Sequence, residues 1–401
     1  LVNAGINDWG GVSPLTPDHV NPEAPWPHLE NLARETAAAG KFLDQRLTIY
    51  PEYACNPDQW LDDQLKFPIL KQSDSCGFAK RDNWTPGATE PIPLLDKQLL
   101  ERIVTPEQVS SDIQRIVAAC EAQQELSIED VSRLFESRGA DFSYITQQAN
   151  RLRHDCNGDT VSFVVNRNIN YTNVCYFKCQ FCAFSKGKMS EDLRGRPYDI
   201  SAEEISRRVR EAWDRGATEV CMQGGIHPDY TGQTYLDIVE TVRHAAKDMH
   251  IHAFSPLEVW QGASTLGISL EEFLKKLMVA GLNTLPGTAA EVLDDEVRQF
   301  LCADKLNSEE WLEVMETAHK VGFRTTATIM YGHIDRPKHW ANHLLRIRAL
   351  QKRTGGFTEF VPLPYVHMEA PMYLKGLSRR GPSFREAVLM HSVARLVFHG
   401  Q

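Results

Sequence analysis

The chain has 401 residues, 42% of them hydrophobic, and a formal net charge of −10. That length suits two average domains or one large barrel with an appendage, and the acidic balance argues against a nucleic-acid-binding surface and for small-molecule chemistry. No apolar run reaches the roughly 18 residues of a membrane span, and nine cysteines, an odd number, do not make the framework of a small secreted domain, so a reducing cytoplasm is expected.

The chain opens on Leu1 and runs directly into Gly5-Ile6-Asn7-Asp8-Trp9-Gly10-Gly11, and it closes at Gln401 straight after a helical pattern. No signal peptide precedes the first element. Both ends read as cut, so a fragment is expected. Residues 1–60 hold a turn-rich start and one helical stretch from about His28 to Arg46. Residues 61–150 mix Pro, Asp and Gln, including Pro86-Gly87 and Pro91-Ile92-Pro93, with helical pieces near 106–124 and 127–137. They read as a linker with a small helical prelude.

From about Val161, within a third region of residues 151–401, an apolar run, a turn and an amphipathic helix repeat. Strands are expected near 161–166, 219–222, 251–254, 283–285, 325–330 and 359–361. Helices are expected near 201–215, 233–248, 269–280, 308–321, 337–353 and 384–399. Ser201 with Glu204 and Ser308 with Trp311 read as helix starts, and Gly216, Gly281 and Gly322 as helix ends. Six βα units in a row predict an α/β fold, a TIM-type barrel with its last strands missing, although an open parallel sheet has the same periodicity. Polar and glycine-rich tails follow the strands: Gln223-Gly224-Gly225, Ser255, Gly287-Thr288 and Tyr331-Gly332-His333. Barrel chemistry is built at these strand ends.

After the first strand comes Cys175-Tyr176-Phe177-Lys178-Cys179-Gln180-Phe181-Cys182, a C-x3-C-x2-C spacing. Three thiolates on one loop can hold three irons of a cubane and leave the fourth open, as catalysis requires. Structural zinc would need a fourth ligand from Cys156, Cys221 or His227. Three unrelated cysteines are the plainer alternative. The position at the catalytic end of the barrel favours the cluster.

With an aromatic residue before its last cysteine, this motif resembles that of the radical S-adenosylmethionine (SAM) superfamily. Further runs narrow the resemblance: Asn166–Asn173, Met222-Gln223-Gly224-Gly225-Ile226-His227-Pro228, Pro286–Glu291, Met330–His333 and Gly355–Pro364. They are similar to the FO synthase family, which makes the deazaflavin chromophore of coenzyme F420. Residues 155–400 resemble its tyrosine-cleaving half. Asn7–Asp18, within residues 1–60, resembles the tail of the partner half, a deazariboflavin synthase domain expected upstream, whose own cluster motif is absent here.

The resemblance implies a [4Fe–4S] cluster on Cys175, Cys179 and Cys182, whose open iron takes S-adenosyl-L-methionine, and an electron donor of flavodoxin or ferredoxin type. It implies that a 5′-deoxyadenosyl radical cleaves L-tyrosine and that the hydroxybenzyl group passes to 5-amino-6-(D-ribitylamino)uracil. Phe181 is expected against adenine or the cluster, with simple packing as the alternative. Gln223, Gly224 and Gly225 fall where the superfamily turns near the SAM amino group. Ser255, Glu258, Thr288 and Glu291 are candidates for SAM ribose or substrate, or else loop and cap residues. His227, His252, Tyr331, His333 and Glu359 are candidate catalytic groups, and a histidine would handle the phenol proton. Asn168, Asn170 and Gln223 are candidates for the ribityl chain. His244, His250, His339 and His343 read as surface residues. The competing readings are a radical SAM enzyme of the menaquinone aminofutalosine type, a zinc-stabilised binding protein and an inactive fragment.

Overall fold

The computed structural model describes residues 1–13, 19, 22–23, 28–87, 89, 91–185 and 196–399. Part of the N-terminal run expected to mark the partner half, residues 14–18, lies outside them. Helices come first: α1 (Leu29–Ala38), α2 (Pro51–Ala54), α3 (Pro57–Trp60), α4 (Asp63–Gln72), α5 (Leu94–Glu101), α6 (Ser111–Glu121), α7 (Ile128–Phe135) and α8 (Gly139–Asn157). A strand–helix succession follows: β1 (Asn166–Asn170), α9 (Ala202–Asp214), β2 (Glu219–Gln223), α10 (Gly232–Ala245), β3 (His250–Ala253), α11 (Pro256–Leu266), α12 (Leu270–Ala280) and β4 (Thr284–Leu285). It continues with α13 (Asp295–Cys302), α14 (Ser308–Val321), β5 (Arg324–Tyr331), α15 (Pro337–Thr354), β6 (Phe357–Pro364), α16 (Pro371–Leu374) and α17 (Phe384–Phe398).

The six strands pair in the order β1-β2-β3-β4-β5-β6, every neighbour parallel. They make an α/β partial barrel, a sheet curled around one concave face. Side chains alternate across each strand, and burial separates the two faces. Ile169, Val220, Met222, Ile251, Ala253 and Leu285 are buried in one core beneath α9–α12 and α14. Ile329 and Tyr331 of β5 join a second core with α6–α8, α13, α15 and α17. The alternate positions, Asn168, Asn170, Cys221, Gln223, His252, Thr326 and Glu359 among them, stay half-buried or exposed. They face the concave side.

Several expectations change. The first strand is Asn166–Asn170, not 161–166; Val161 and Phe163 are 90% and 86% exposed. The apolar run suggested a strand, but the polar one pairs with β2. Helices α2–α5, α8, α11, α13 and α16 were not foreseen. The cap of α14 is Asn307, not Ser308, since its side chain accepts from the Glu310 N–H at 2.9 Å. Ser308 instead donates to Asp295 at 2.7 Å. Ser201 does accept from the Glu204 N–H.

Residues 61–150 do more than connect. Leu99, Ile113, Val131, Phe135 and Phe142 pack into the same core as Trp340 and Val393. A buried ion network ties the preceding segment to α8 and α17. Arg138 pairs with Asp44 and, at 2.6 Å, with Asp74. Arg385 reaches Asp74 at 3.2 Å. Glu386 takes Arg379 at 3.1 Å and the Ser75 N–H at 2.7 Å. Among the described residues no helix is long and apolar enough to cross a membrane.

Candidate active site

The cysteine loop is held from three sides. The Gly225 N–H donates to Thr172 O at 2.8 Å and the Tyr176 N–H to Ile226 O at 3.2 Å, which binds the loop to the tail of β2. The Gln180 N–H donates to Leu301 O at 2.9 Å and the Lys178 N–H to Asp304 Oδ2 at 3.0 Å, at the end of α13. From α16, the Met372 N–H donates to Gln180 O at 2.8 Å. Cys175, Cys179 and Cys182 are free and half-buried. Burial pushes the Cys179 thiol up to about 12, and the Ser185 N–H donates to Cys182 Sγ at 3.3 Å.

Ligands of one ion must converge on a point. Among the described residues the set that does so within 4.8 Å is Asp294, Glu296 and His339, not the cysteines. That set has ordinary structural duties: Asp294 caps α13 and Glu296 pairs with Lys338 at 3.0 Å. Wider-spread thiols suit a cluster, where each binds a different iron. Of the extra ligands a zinc site would need, Cys156 is exposed on α8.

Two glycines bring the tail of β2 close to the loop. A Cβ on Gly225 would lie 2.3 Å from Val174 O and 2.9 Å from Cys175 Cβ; one on Gly224 would lie 2.3 Å from the Tyr171 ring. Ser255 and Glu258 form a capping box at the start of α11. Glu258 is also a buried clamp. It accepts from the Tyr171 hydroxyl after β1 and, at 3.1 Å, from the Gly224 N–H after β2. The Ser255 N–H and hydroxyl donate to its other oxygen at 2.6 and 2.5 Å. Burial raises its pKa against the pull of these donors. Three strand ends meet on one carboxyl group.

The concave face below is polar. The Asn168 amide donates to Asn170 Oδ1 at 2.7 Å, and the Asn170 amide to Gln223 O at 3.0 Å. His252 Nδ1 and His250 Nε2 lie 2.7 and 2.8 Å from Thr284 Oγ1. Burial lowers the pKa of His252, which keeps the ring neutral. Glu359 is exposed on β6 and has no hydrogen bond or ion pair among the described residues. Thr288, beyond β4, has a buried hydroxyl without a partner among the described residues.

Other expected residues lie elsewhere. Tyr331 alternates to the helix side and packs edge-on against Trp340, 6.0 Å between centroids, so it does not line the concave face. His333 is wholly buried, with Nδ1 accepting from the Ile334 N–H at 2.8 Å and Nε2 3.0 Å from Met330 O; it braces a turn. His339 and His343 are buried, not on the surface, because α15 turns their side toward α13. His227 stacks on Tyr230 at 4.9 Å, and its Nδ1 accepts from the Asp229 N–H at 3.1 Å. Phe181 packs into the helical core, and the Lys305 ammonium lies 5.4 Å from its ring centroid. Lys305 donates to Glu291 at 3.1 Å. Sequence reasoning missed Lys305 and Tyr171, since neither sits in a spacing that marks it.

The Radical SAM superfamily model matches residues 169–347. The chain is 41% identical to the FO synthase of Streptomyces coelicolor and 43% to that of Mycobacterium leprae, in each case over 100% of this chain and 50% of the relative. It thus spans about half the length of those relatives. It is 47% identical to the 5-amino-6-(D-ribitylamino)uracil–L-tyrosine 4-hydroxyphenyl transferase of Methanopyrus kandleri, over 63% of this chain and 68% of that one. Among solved structures, the FeFe-hydrogenase maturase from Carboxydothermus hydrogenoformans aligns with a TM-score of 0.52 at 15% identity, over 72% of this chain and 64% of that chain. Methylornithine synthase aligns at 0.51 and 17%, over 71% and 77%. At such identities these two show the fold alone.

Proposed function

The chain belongs to the radical SAM FO synthase family, and from that premise we propose that it carries the tyrosine-cleaving half-reaction, transferring the 4-hydroxybenzyl group of L-tyrosine to 5-amino-6-(D-ribitylamino)uracil. The observation that carries this reading is the three-cysteine loop clamped over a polar, concave strand face. The donor set fits a cluster: three free, half-buried thiols on one braced loop. When bound, a [4Fe–4S] cluster with S-adenosylmethionine supplies the 5′-deoxyadenosyl radical that starts the reaction.

The chain's own residues do the rest. Cys175, Cys179 and Cys182 would hold the cluster. Gly224 and Gly225, without Cβ atoms, let the tail of β2 sit directly against Tyr171 and the cysteine loop. Thr288, whose buried hydroxyl has no partner among the described residues, suits a ribose hydroxyl; Glu291 and Gln223 border the same end, and Phe181 backs the cysteine loop by packing into the helical core. Ser255 and Glu258 hold three strand ends together and act by positioning. The amides of Asn168, Asn170 and Gln223 offer a ribityl chain the hydrogen bonds it gives up on leaving water. Glu359, an unpaired carboxylate on β6, suits the tyrosine ammonium. Neutral His252 on β3 suits the phenol proton better than His227, His333 or Tyr331, which are stacked or buried away from the face.

The remaining proposals follow from this reading. Residues 1–60 correspond to the tail of a deazariboflavin synthase domain, 61–150 to a linking helical region and 151–401 to the barrel. A flavodoxin- or ferredoxin-type protein delivers the electron, in the cytoplasm. The test is anaerobic incubation of the reconstituted protein with SAM, dithionite, tyrosine and the ribitylaminouracil, read by mass spectrometry. Deoxyadenosine with a hydroxybenzyl adduct supports the assignment. Deoxyadenosine without any adduct rejects the substrates.

A further inference from the structure

The turn that ends α13 touches the cysteine loop at three successive points. Leu301 O accepts from Gln180, the Asp304 carboxylate from Lys178, and Lys305 brings its ammonium to the side of Phe181, the residue before Cys182. Lys305 is not a surface lysine. Its side chain is 12% exposed, as is that of its partner Glu291. Burial works against an ammonium, yet the Glu291 carboxylate 3.1 Å away opposes it, and the pKa of Lys305 stays above its ordinary value. The charge therefore persists at neutral pH.

Glu291 is held in place at some cost. Its φ is +47° and that of Ala289 is +61°, left-handed conformations that non-glycine residues rarely adopt. The Glu291 carbonyl accepts from the Met330 N–H at 2.8 Å, which ties the strained turn to β5. A buried ion pair made only for stability is commonly matched or bettered by apolar side chains. This one lies against the ring of Phe181, between Cys179 and Cys182 in the loop.

We propose that Lys305 is a positioning residue that supplies the static positive charge beside the cysteine cluster and sets its reduction potential, with Glu291 moderating that charge. The inference rests on the cluster reading above. Electrostatic interactions are stronger in a dry site than in water, and cluster potentials follow net charge and exposure. A cluster that accepts an electron becomes more negative. A nearby ammonium therefore favours the reduced form, while an uncompensated carboxylate would disfavour it.

The test is an EPR-monitored redox titration of the reconstituted protein without SAM, comparing the parent with Lys305→Met, Lys305→Arg and Glu291→Gln. Lys305→Met should lower the ratio of reduced to oxidised cluster at a given potential by about tenfold, a shift of about 59 mV for one electron. Glu291→Gln should shift it the opposite way, and Lys305→Arg should stay near the parent. Opposite signs support the inference, because damage to packing would not reverse with the sign of the charge removed. If Lys305→Met loses its cluster, the sign of the Glu291→Gln shift decides alone. Unmoved potentials, or two shifts of one sign, overturn the inference while the cluster reading stands. A parent chain that takes up no cluster overturns both.

Discussion

The Tyr171 hydroxyl donates to the buried Glu258 carboxylate, and the Gly224 N–H donates to the same oxygen at 3.1 Å. The end of β1 and the tail of β2 are thereby joined to the first turn of α11, at the edge where the cysteine loop begins. Tyr171→Phe removes a donor from a carboxylate that water cannot reach. We expect a loss of about 1–3 kcal/mol, read by urea unfolding, together with reduced iron uptake on reconstitution. Unchanged stability would mean that Glu258 is satisfied without Tyr171.

Gly225 is a second point of control over the loop. A methyl group there would meet Val174 O at 2.3 Å, closer than any real Cβ contact, so the loop carrying Cys175 must move. Gly225→Ala should fold but bind much less iron per chain than the parent. Gly11→Ala, with open space around it, should match the parent.

Acid should weaken the fold through its buried histidines. His343 is buried, its Nδ1 accepts from the Leu293 N–H at 2.9 Å, and burial drops its pKa to about 3 from 6.5. Between those values the unfolded chain binds a proton that the folded chain refuses. Stability is complete above pH 6.5 and falls as pH falls, by about 1.4 kcal/mol per pH unit for one such group. His319, lowered to about 4, acts in the same direction. Urea midpoints from pH 7.5 to 5 should show the slope, and His343→Asn should flatten it. A parent slope of zero contradicts the burial argument.

The network around Asp74 holds residues 44–82 to α8 and α17. Asp74→Ala leaves Arg385 without its carboxylate and Arg138 with only Asp44. Breaking a buried pair from one side costs about 3–5 kcal/mol, so thermal unfolding of Asp74→Ala should shift clearly downward. A melting curve like the parent's would show that the segment is held by apolar contacts instead.

How much was legible beforehand followed the kind of signal. The cysteine spacing is local and chemical, so it was readable without any fold. The strands from β2 onward carry apolar residues on the helix side, and their periodicity placed them within a few residues. β1 was misplaced because the apolar residues of Val161–Val165 are exposed, whereas Asn166–Asn170 hides a single buried side chain, Ile169, among polar ones. Facing was the hardest to read. Tyr331 and His333 follow a strand as catalytic groups often do, but strand alternation sends Tyr331 to the helices and a tight turn buries His333. Lys305 and Glu291 are 14 residues apart, and no local pattern predicts that the chain brings them to the loop.

The most direct test of the central claim is iron and sulfide content with an EPR spectrum after anaerobic reconstitution, for the parent and for Cys175→Ala, Cys179→Ala and Cys182→Ala, followed by a deoxyadenosine assay with SAM and dithionite. The account predicts about four irons and four sulfides per parent chain, a reduced [4Fe–4S] signal and deoxyadenosine, with all three lost or sharply reduced in each variant. A parent that binds no iron, or variants that retain cluster and deoxyadenosine, would contradict it.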